Sequence, residues 1–113
     1  MTTPSFLPEL DAFLRERLAD RTEGSYSVRV LTEATFAQRK IMEEAFEVCL
    51  ELQAAEPDRR ATAEEAADLV FHLLAALVAA GVGWDDVEAV LRERHARPAR
   101  HSTYETDAPE APR

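Results

Sequence analysis

Glu43-Glu44-Ala45-Phe46-Glu47 and Glu65-Ala66-Ala67-Asp68 are the two acidic stretches that decide the fold of this chain. The segments around both stretches have the composition and apolar spacing of helices, and a turn near Glu56-Pro57-Asp58 separates them. Helices joined by so few residues usually pack as an antiparallel pair. The sequence therefore predicts a helical hairpin with acidic residues on both halves.

The acidic side chains of each half share one helical face. Positions three or four apart lie on the same side of a helix. This spacing gives two matching stripes: Glu44, Glu47 and Glu51 on the first helix, and Glu65, Asp68 and His72 on the second. If the first helix ends near Ala55 and the second begins near Arg60, Glu47 and Asp68 each lie about 12 Å from the turn, at a rise of 1.5 Å per residue. The two stripes can therefore face each other.

Carboxylates that converge between two helices repel one another unless a proton or a cation lies between them. Oxygen ligands suit Mg²⁺ or Mn²⁺ before Zn²⁺. The alternative is that the glutamates of the first helix form an ordinary solvated face. The second helix favours the metal site, because residues 69–80 are apolar nearly all round and acids beside a buried helix rarely stay unpaired. We therefore expect a cation to lie between the two acidic stripes.

The composition narrows the class of protein. A chain of 113 residues is long enough for one domain with a modest core. Its three glycines and few aromatic residues favour an all-α bundle over a β-sandwich or barrel. The formal net charge of −9 argues against a sequence-independent nucleic-acid binder. A substrate that carries phosphates would be repelled unless divalent cations bridge it to the protein.

The sequence gives no sign of export or of a membrane span. Residues 1–4 lack the basic start of a signal peptide, and the apolar stretch 69–82 is shorter than the roughly 20 residues that a span needs. The lone Cys49 cannot form an intrachain disulfide, which suits a reducing compartment. We expect a cytoplasmic protein with no membrane association, in which Cys49 is packed as a small hydrophobic residue.

Capping and turn residues predict four to five helices. The first would run from a cap at Ser5 to about Ala19 or Asp20, and Ser25 would cap the second. Alternation over residues 26–30 also allows a strand there, but its helical neighbours favour helix. The third helix would begin at Thr35 and the fifth at residues 83–86. We expect one all-α domain over residues 1–95 and a disordered tail over residues 96–113.

The fourth helix has two candidate starts. The hairpin geometry puts its first residue near Arg60. Thr62 followed by Glu65 has the form of a capping box, and this would put the start at Thr62 instead. Gly81 is the expected end of this helix, because glycine readily adopts the left-handed conformation that follows many helix ends.

Several of these segments resemble one enzyme family. They are Gly24-Ser25-Tyr26, residues 40–48, residues 65–69 and His72-Leu73-Leu74. Together they are similar to the phosphoribosyl-ATP pyrophosphohydrolases, within the all-α, MazG-like nucleotide pyrophosphohydrolase superfamily. The superfamily pattern is a pair of glutamates, a third glutamate three positions on, a spacer and Glu-x-x-Asp. The resemblance covers roughly residues 10–95.

The resemblance implies Mg²⁺-dependent hydrolysis of phosphoribosyl-ATP to phosphoribosyl-AMP and pyrophosphate, a step of histidine biosynthesis. The resemblance also implies the metal ligands, which are Glu44, Glu47, Glu65 and Asp68. They would hold one or more Mg²⁺ ions, with Mn²⁺ as the alternative. Glu43 is the candidate catalytic base, because it is offset by one residue from the stripe that contains Glu44 and Glu47. The superfamily also implies a homodimer, which would let a chain rich in apolar helix bury more surface.

The candidate substrate contacts lie on both sides of the first acidic stretch. Basic and polar side chains that could meet phosphate oxygens are Lys40, Arg39, Arg29, Ser25 and Tyr26. Solvated surface roles, a helix cap for Ser25 and a core position for Tyr26 are the alternatives. His72 could hydrogen-bond a carboxylate that holds the metal, or be a satisfied core histidine.

Two departures from the family pattern leave other functions open. Met42 stands where the family usually has glycine, and Glu33-Ala34 stands where it tends to have Lys-Gly, with spacing to the glutamates one residue shorter. A house-cleaning pyrophosphohydrolase acting on dUTP or a damaged nucleotide would need the same four acids. A non-catalytic helical interaction module is the alternative from a different class.

Overall fold

The chain is an all-α protein. A computed structural model describes residues 3–97, and within them it has five α-helices and no β-strand. The helices are α1 (Leu7–Asp20), α2 (Tyr26–Thr32), α3 (Ala34–Gln53), α4 (Arg59–Ala79) and α5 (Trp84–Ala96). The predicted fold class is confirmed, and residues 26–30 are helix rather than strand. Of the predicted tail, Ala96 still belongs to α5, and residues from 98 onward lie outside the described part.

The long hairpin of α3 and α4 is the centre of the fold, and these two helices share the most extensive contacts. Residues 54–58 connect them. Asp58 caps α4, because its side-chain Oδ1 accepts a hydrogen bond from the Ala61 amide at 2.8 Å. The expected capping box at Thr62 is wrong: its hydroxyl donates to the Asp58 carbonyl oxygen instead. A short acidic side chain just before the helix satisfies the first free amides.

The other helix starts differ from the sequence prediction by one residue or less, whereas α3 ends at Gln53, two residues before the predicted Ala55. Phe6 rather than Ser5 precedes α1, and α3 begins at Ala34 rather than Thr35. Ser25 precedes α2 as expected, although its side chain makes no capping hydrogen bond. Gly81 follows the end of α4 with φ +82°, a left-handed conformation that costs glycine little, and this confirms its predicted role.

The core lies where α1, α2 and α3 meet α4. Its buried side chains are Leu14, Val30, Leu31, Ala37, Leu74, Ala75 and Val78. The last helix, α5, packs on α1. The buried Asp11 joins them, because its Oδ2 accepts hydrogen bonds from Arg15 and from the Trp84 amide.

Part of the apolar surface remains uncovered. Cys49 is exposed, so its expected packing in the core is wrong for a single chain. Met42, Phe46 and Leu50 are exposed on the same helix, α3. Among residues 3–97 no single helix is long and apolar enough to cross a membrane, and only α4 and α5 taken together, with a bend of 106° between them, have the length and composition for it.

We expect Leu74→Ala to destabilise the fold strongly. Leu74 of α4 is fully buried in the core that α4 forms with α1, α2 and α3. Truncation leaves a cavity and should lower the free energy of unfolding by about 2–5 kcal/mol. Urea denaturation at one fixed protomer concentration measures the change. The matched control is Leu91→Ala, at a leucine that is 44% exposed, where the loss should be much smaller. Equal losses at the two positions would contradict this assignment of the core.

Candidate active site

Three carboxylates from the two halves of the hairpin come together. Glu44 of α3 and the pair Glu65 and Asp68 of α4 each place a carboxylate oxygen within 4.8 Å of the others. The oxygens that coordinate one Mg²⁺ from opposite sides are about 4.2 Å apart, since each lies about 2.1 Å from the ion. Glu44 is buried, Glu65 is half-buried and Asp68 is exposed. The donor set therefore fits a small hard cation after slight side-chain movement.

Glu47 lies beside this group but does not belong to it. The structure brings together three of the four predicted metal ligands, while Glu47 lines the same cavity as Glu44 and Glu65. Loss of hydration, followed by repulsion from Glu47, Asp68, Glu44 and Glu51, raises the pKa of Glu65 above its ordinary value. The repelling groups come from both acidic stripes, so the stripes lie close enough to affect each other, as the spacing predicts.

A cavity of about 380 Å³ opens at the acidic group. Its lining residues are Lys40, Glu43, Glu44, Phe46, Glu47 and Glu65. Lys40 is the one basic residue of this lining, and its Nζ lies 3.5 Å from Glu44 and 3.9 Å from Glu43. Glu43, the predicted base, is exposed at this cavity. An excess of carboxylates over cations remains at the cavity, which favours the binding of a further cation.

His72 is a buried residue whose hydrogen bonds are satisfied within the fold. A carbonyl oxygen can only accept, so Nδ1–H donates to the Asp68 carbonyl at 2.8 Å. Nε2 of the neutral ring then accepts from the Tyr26 hydroxyl at 2.7 Å. The Nδ1 atom lies 3.8 Å from Glu44 Oε1, which is too long for a hydrogen bond. His72 therefore sits behind the carboxylates and connects them to α2.

The predicted substrate contacts fall into two groups. Lys40 lines the acidic cavity, whereas Ser25, Tyr26 and Arg29 line a second, open cavity of about 680 Å³ at α2. The Arg29 guanidinium carbon lies 3.8 Å from the Phe36 ring centroid, close enough for a cation–π contact. That of Arg39 lies 5.9 Å from the same centroid. Arg39 and Arg29 are therefore linked through Phe36, and neither touches the acidic group.

Sequence reasoning missed two residues of this region. Phe36 holds Arg29, and Arg21 lines the second cavity. The position of Phe36 one helical turn before Lys40 was a usable signal, because residues four apart share a face. Arg21 gave no such signal, since it lies in the loop between α1 and α2, outside any periodic pattern.

The arrangement is suited to reactions at phosphate groups. A cation held by acidic side chains attracts phosphates. A carboxylate beside that cation can accept a proton from water. Lys40 at the edge adds a positive charge that can meet phosphate oxygens. The described residues thus include acids on two facing helices and a further carboxylate beside them, which are the kinds of group that cleavage of a phosphate needs.

Comparison with known proteins identifies the family. The family model of phosphoribosyl-ATP pyrophosphohydrolase matches residues 7–95. A phosphoribosyl-ATP pyrophosphatase from Nitrobacter winogradskyi is 40% identical over 78% of this chain and 75% of its own length. One from Metallosphaera sedula is 35% identical over 78% of this chain and 94% of its own length.

Longer relatives match the same part of the chain. The histidine biosynthesis bifunctional protein HisIE of Deinococcus radiodurans is 44% identical over 80% of this chain. The chain spans 41% of that protein and 11% of the histidine biosynthesis trifunctional protein of Kluyveromyces lactis, with which it shares 37% identity. The match over residues 7–95 and the acidic residues on the facing α3 and α4 agree, and the chain belongs to the phosphoribosyl-ATP pyrophosphohydrolase family.

Proposed function

We propose that this chain hydrolyses phosphoribosyl-ATP to phosphoribosyl-AMP and pyrophosphate in histidine biosynthesis, and that it needs Mg²⁺ or Mn²⁺ to do so. The observation that carries the proposal is the group of Glu44, Glu65 and Asp68 on facing helices of a chain that belongs to this family. Relatives named phosphoribosyl-ATP pyrophosphatase support the substrate.

Glu44, Glu65 and Asp68 are the proposed metal ligands, with Glu47 as the fourth. Glu47 lines the same cavity and contributes to the raised pKa of Glu65, so a cation there would relieve the repulsion of all four acids. A bound Mg²⁺ would neutralise the triphosphate and the charge that develops on the departing pyrophosphate. His72 supports the group from behind by fixing the Asp68 backbone.

Glu43 is the proposed general base. It lies at the rim of the acidic cavity, and the ligand set on α3 and α4 does not include it. Its carboxylate can orient a water toward the phosphate and accept the proton from it. Lys40 forms ion pairs with Glu43 and Glu44, and it would leave them to bind phosphate oxygens when substrate enters. Arg39, Arg29, Ser25 and Tyr26 are the proposed contacts for the rest of the substrate.

We also infer a homodimer that forms through the outer face of α3. Met42, Phe46 and Leu50 are 67%, 62% and 46% exposed, and their spacing of four residues puts them in one apolar row. Phe46 also lines the acidic cavity. A second copy packed on this row would bury its apolar side chains and narrow the mouth of the cavity. The Met42 departure from the family pattern falls on this row and not in the cavity lining.

A cytoplasmic location is part of the same proposal. Cys49 is a free thiol exposed on α3, close in sequence to the apolar row. An exposed free thiol persists best in a reducing compartment, where oxidation to a disulfide is disfavoured.

Pyrophosphate release tests the proposed reaction. We expect rapid release from phosphoribosyl-ATP with Mg²⁺ or Mn²⁺, little release after chelation, and much slower release from ATP, dUTP and other nucleoside triphosphates. The Glu43→Gln variant should keep the metal-induced rise in melting temperature but lose most turnover. Preference for dUTP or another triphosphate would instead support the house-cleaning alternative. No release from any of them would contradict an enzymatic function.

A further inference from the structure

We infer that the cavity at α2 binds the terminal phosphate of the phosphoribosyl group, and that Arg21 and Arg29 thereby select phosphoribosyl-ATP over ordinary nucleoside triphosphates. This inference rests on the proposed function and adds a second anion-binding subsite to it. The subsite is separate from the acidic group, which would take the triphosphate with its cation.

The chemistry of the substrate calls for two such sites. Phosphoribosyl-ATP carries a triphosphate at one end and a single phosphate at the other, with two riboses and the purine between them. Ordinary nucleoside triphosphates lack the second phosphate. A site that only bound the triphosphate would treat both kinds of molecule alike, so selection needs positive charge away from the acidic group.

The cavity at α2 offers two guanidinium groups. Arg21 and Arg29 both line it. The Arg21 side chain makes no ion pair or hydrogen bond to any residue in 3–97, and its backbone is left-handed with φ +49°. Arg29 pairs with Glu33 at 3.5 Å through its Nε atom, which leaves its two terminal nitrogens unpaired within the same residues. The unpaired nitrogens of a guanidinium group can donate parallel hydrogen bonds to two oxygens of one phosphate.

Arg29 is held in place before any ligand arrives. Its guanidinium lies over the Phe36 ring at 3.8 Å, and Glu33 fixes it from the side. A side chain that is already ordered loses less conformational entropy when it binds an anion. The Ser25 hydroxyl, which caps no amide of α2, lines the same cavity.

Two connections place this cavity next to the acidic one. Tyr26 lines it, and its hydroxyl reaches His72, whose Nδ1 lies 3.8 Å from Glu44. On α3, Phe36 holds Arg29, and Lys40 follows four residues later, about 6 Å along the helix axis. The half-exposed ring of Tyr26 therefore lies between the two sites, where the middle of the substrate would pass.

Acidic residues of the same cavity set the strength of binding. Glu23 and Glu33 also line it, so its formal charge is near zero in a chain of charge −9. Glu33 competes with a phosphate for Arg29. Replacing Glu33 by glutamine should therefore tighten the binding of the phosphoribosyl group, whereas replacing Arg29 should weaken it.

Binding of the product phosphoribosyl-AMP and of plain AMP to the full chain separates this subsite from the catalytic site. Phosphoribosyl-AMP and AMP differ only in the phosphoribosyl group, and their affinities can be measured by calorimetry without turnover. We expect Arg29→Gln and Arg21→Gln each to weaken phosphoribosyl-AMP about tenfold or more and to leave AMP within about twofold. Glu33→Gln should tighten phosphoribosyl-AMP alone. The matched control, Arg92→Gln on α5, should change neither affinity.

Each contrary outcome overturns the inference. If the arginine variants lost affinity equally for both nucleotides, the arginines would contact the AMP part that the two nucleotides share. If neither affinity fell, the cavity would take no part in substrate binding. If Glu33→Gln lost as much affinity for phosphoribosyl-AMP as Arg29→Gln, the Arg29–Glu33 ion pair would have a structural role and not a binding role. Arg21→Gln keeps the test valid should Arg29→Gln fail to fold, because Arg21 lies in a loop and its side chain has no partner among residues 3–97. Preferential binding of phosphoribosyl-AMP by a chain that releases no pyrophosphate would reject the proposed function but keep the subsite.

Discussion

Glu65→Gln is expected to reduce kcat/KM for phosphoribosyl-ATP by about 10³-fold or more, because it removes a carboxylate from the centre of the acidic group. Glutamine keeps the size of the side chain but not its charge. The same variant should lose the rise in melting temperature that Mg²⁺ gives the wild-type protein, since a ligand that binds only the folded state stabilises it by RT ln(1 + [L]/Kd), which falls to zero when binding is lost.

The stability of the metal-free protein should change in the opposite direction. Partial burial and the surrounding acids raise the pKa of Glu65 above 4.5, so the folded state takes up its proton more readily than the unfolded chain. Stability is therefore lost as the pH rises above 4.5 and Glu65 ionises in the folded state. Without metal, Glu65→Gln should melt higher than wild type at pH 7, and the difference should vanish below about pH 4.5.

Glu64→Gln is the matched control for this pair of effects. Glu64 is the preceding residue on α4, is exposed and pairs with Arg60, so its loss should leave both turnover and the Mg²⁺ effect unchanged. Differential scanning fluorimetry with Mg²⁺ and with a chelator measures both arms. A Glu65→Gln protein that retains turnover, or that melts lower than wild type without metal at pH 7, would contradict the assignment of Glu65 to the metal group.

The acidic group could be predicted from sequence because helical geometry is regular. Glu44 and Glu65 lie at positions that spacing and hairpin length bring together, and the structure places them so. The start of α4 could not be predicted as well, because Asp58 and Thr62 are both good capping residues and only tertiary context decides between them. The placement of Glu47 beside the group rather than in it depends on side-chain conformations that spacing does not fix.

Long-range contacts between helices were beyond the reach of sequence patterns. Tyr26 and His72 are 46 positions apart, and their hydrogen bond follows from how α2 packs on α4. The contact of Arg29 with Phe36 likewise depends on the angle between α2 and α3. Residues of both contacts line the cavity at α2 or pack against its lining, so the sequence predicted the acidic group better than it predicted this cavity.

Leu50→Glu is expected to convert the proposed dimer into monomers, with a dimer dissociation constant at least about 100-fold higher than in the wild type. An ionised carboxylate buried in an apolar interface without a partner costs several kcal/mol. Leu50 belongs to the row that contains Met42 and Phe46, but it does not line the acidic cavity, so the substitution leaves that lining intact. Sedimentation velocity over a range of protein concentrations measures the effect.

Pyrophosphate release by the same variant shows whether the site needs the second copy. Phe46 links the apolar row to the acidic cavity, so loss of the partner should open the cavity mouth and lower turnover in step with the monomer fraction. Val90→Glu is the matched control: Val90 is 44% exposed, close to the 46% of Leu50, but lies on α5. It should change neither assembly nor turnover. A monomeric Leu50→Glu protein with full turnover would mean that one chain holds the complete site. A Leu50→Glu protein that remains dimeric would mean that the interface does not lie on this face of α3.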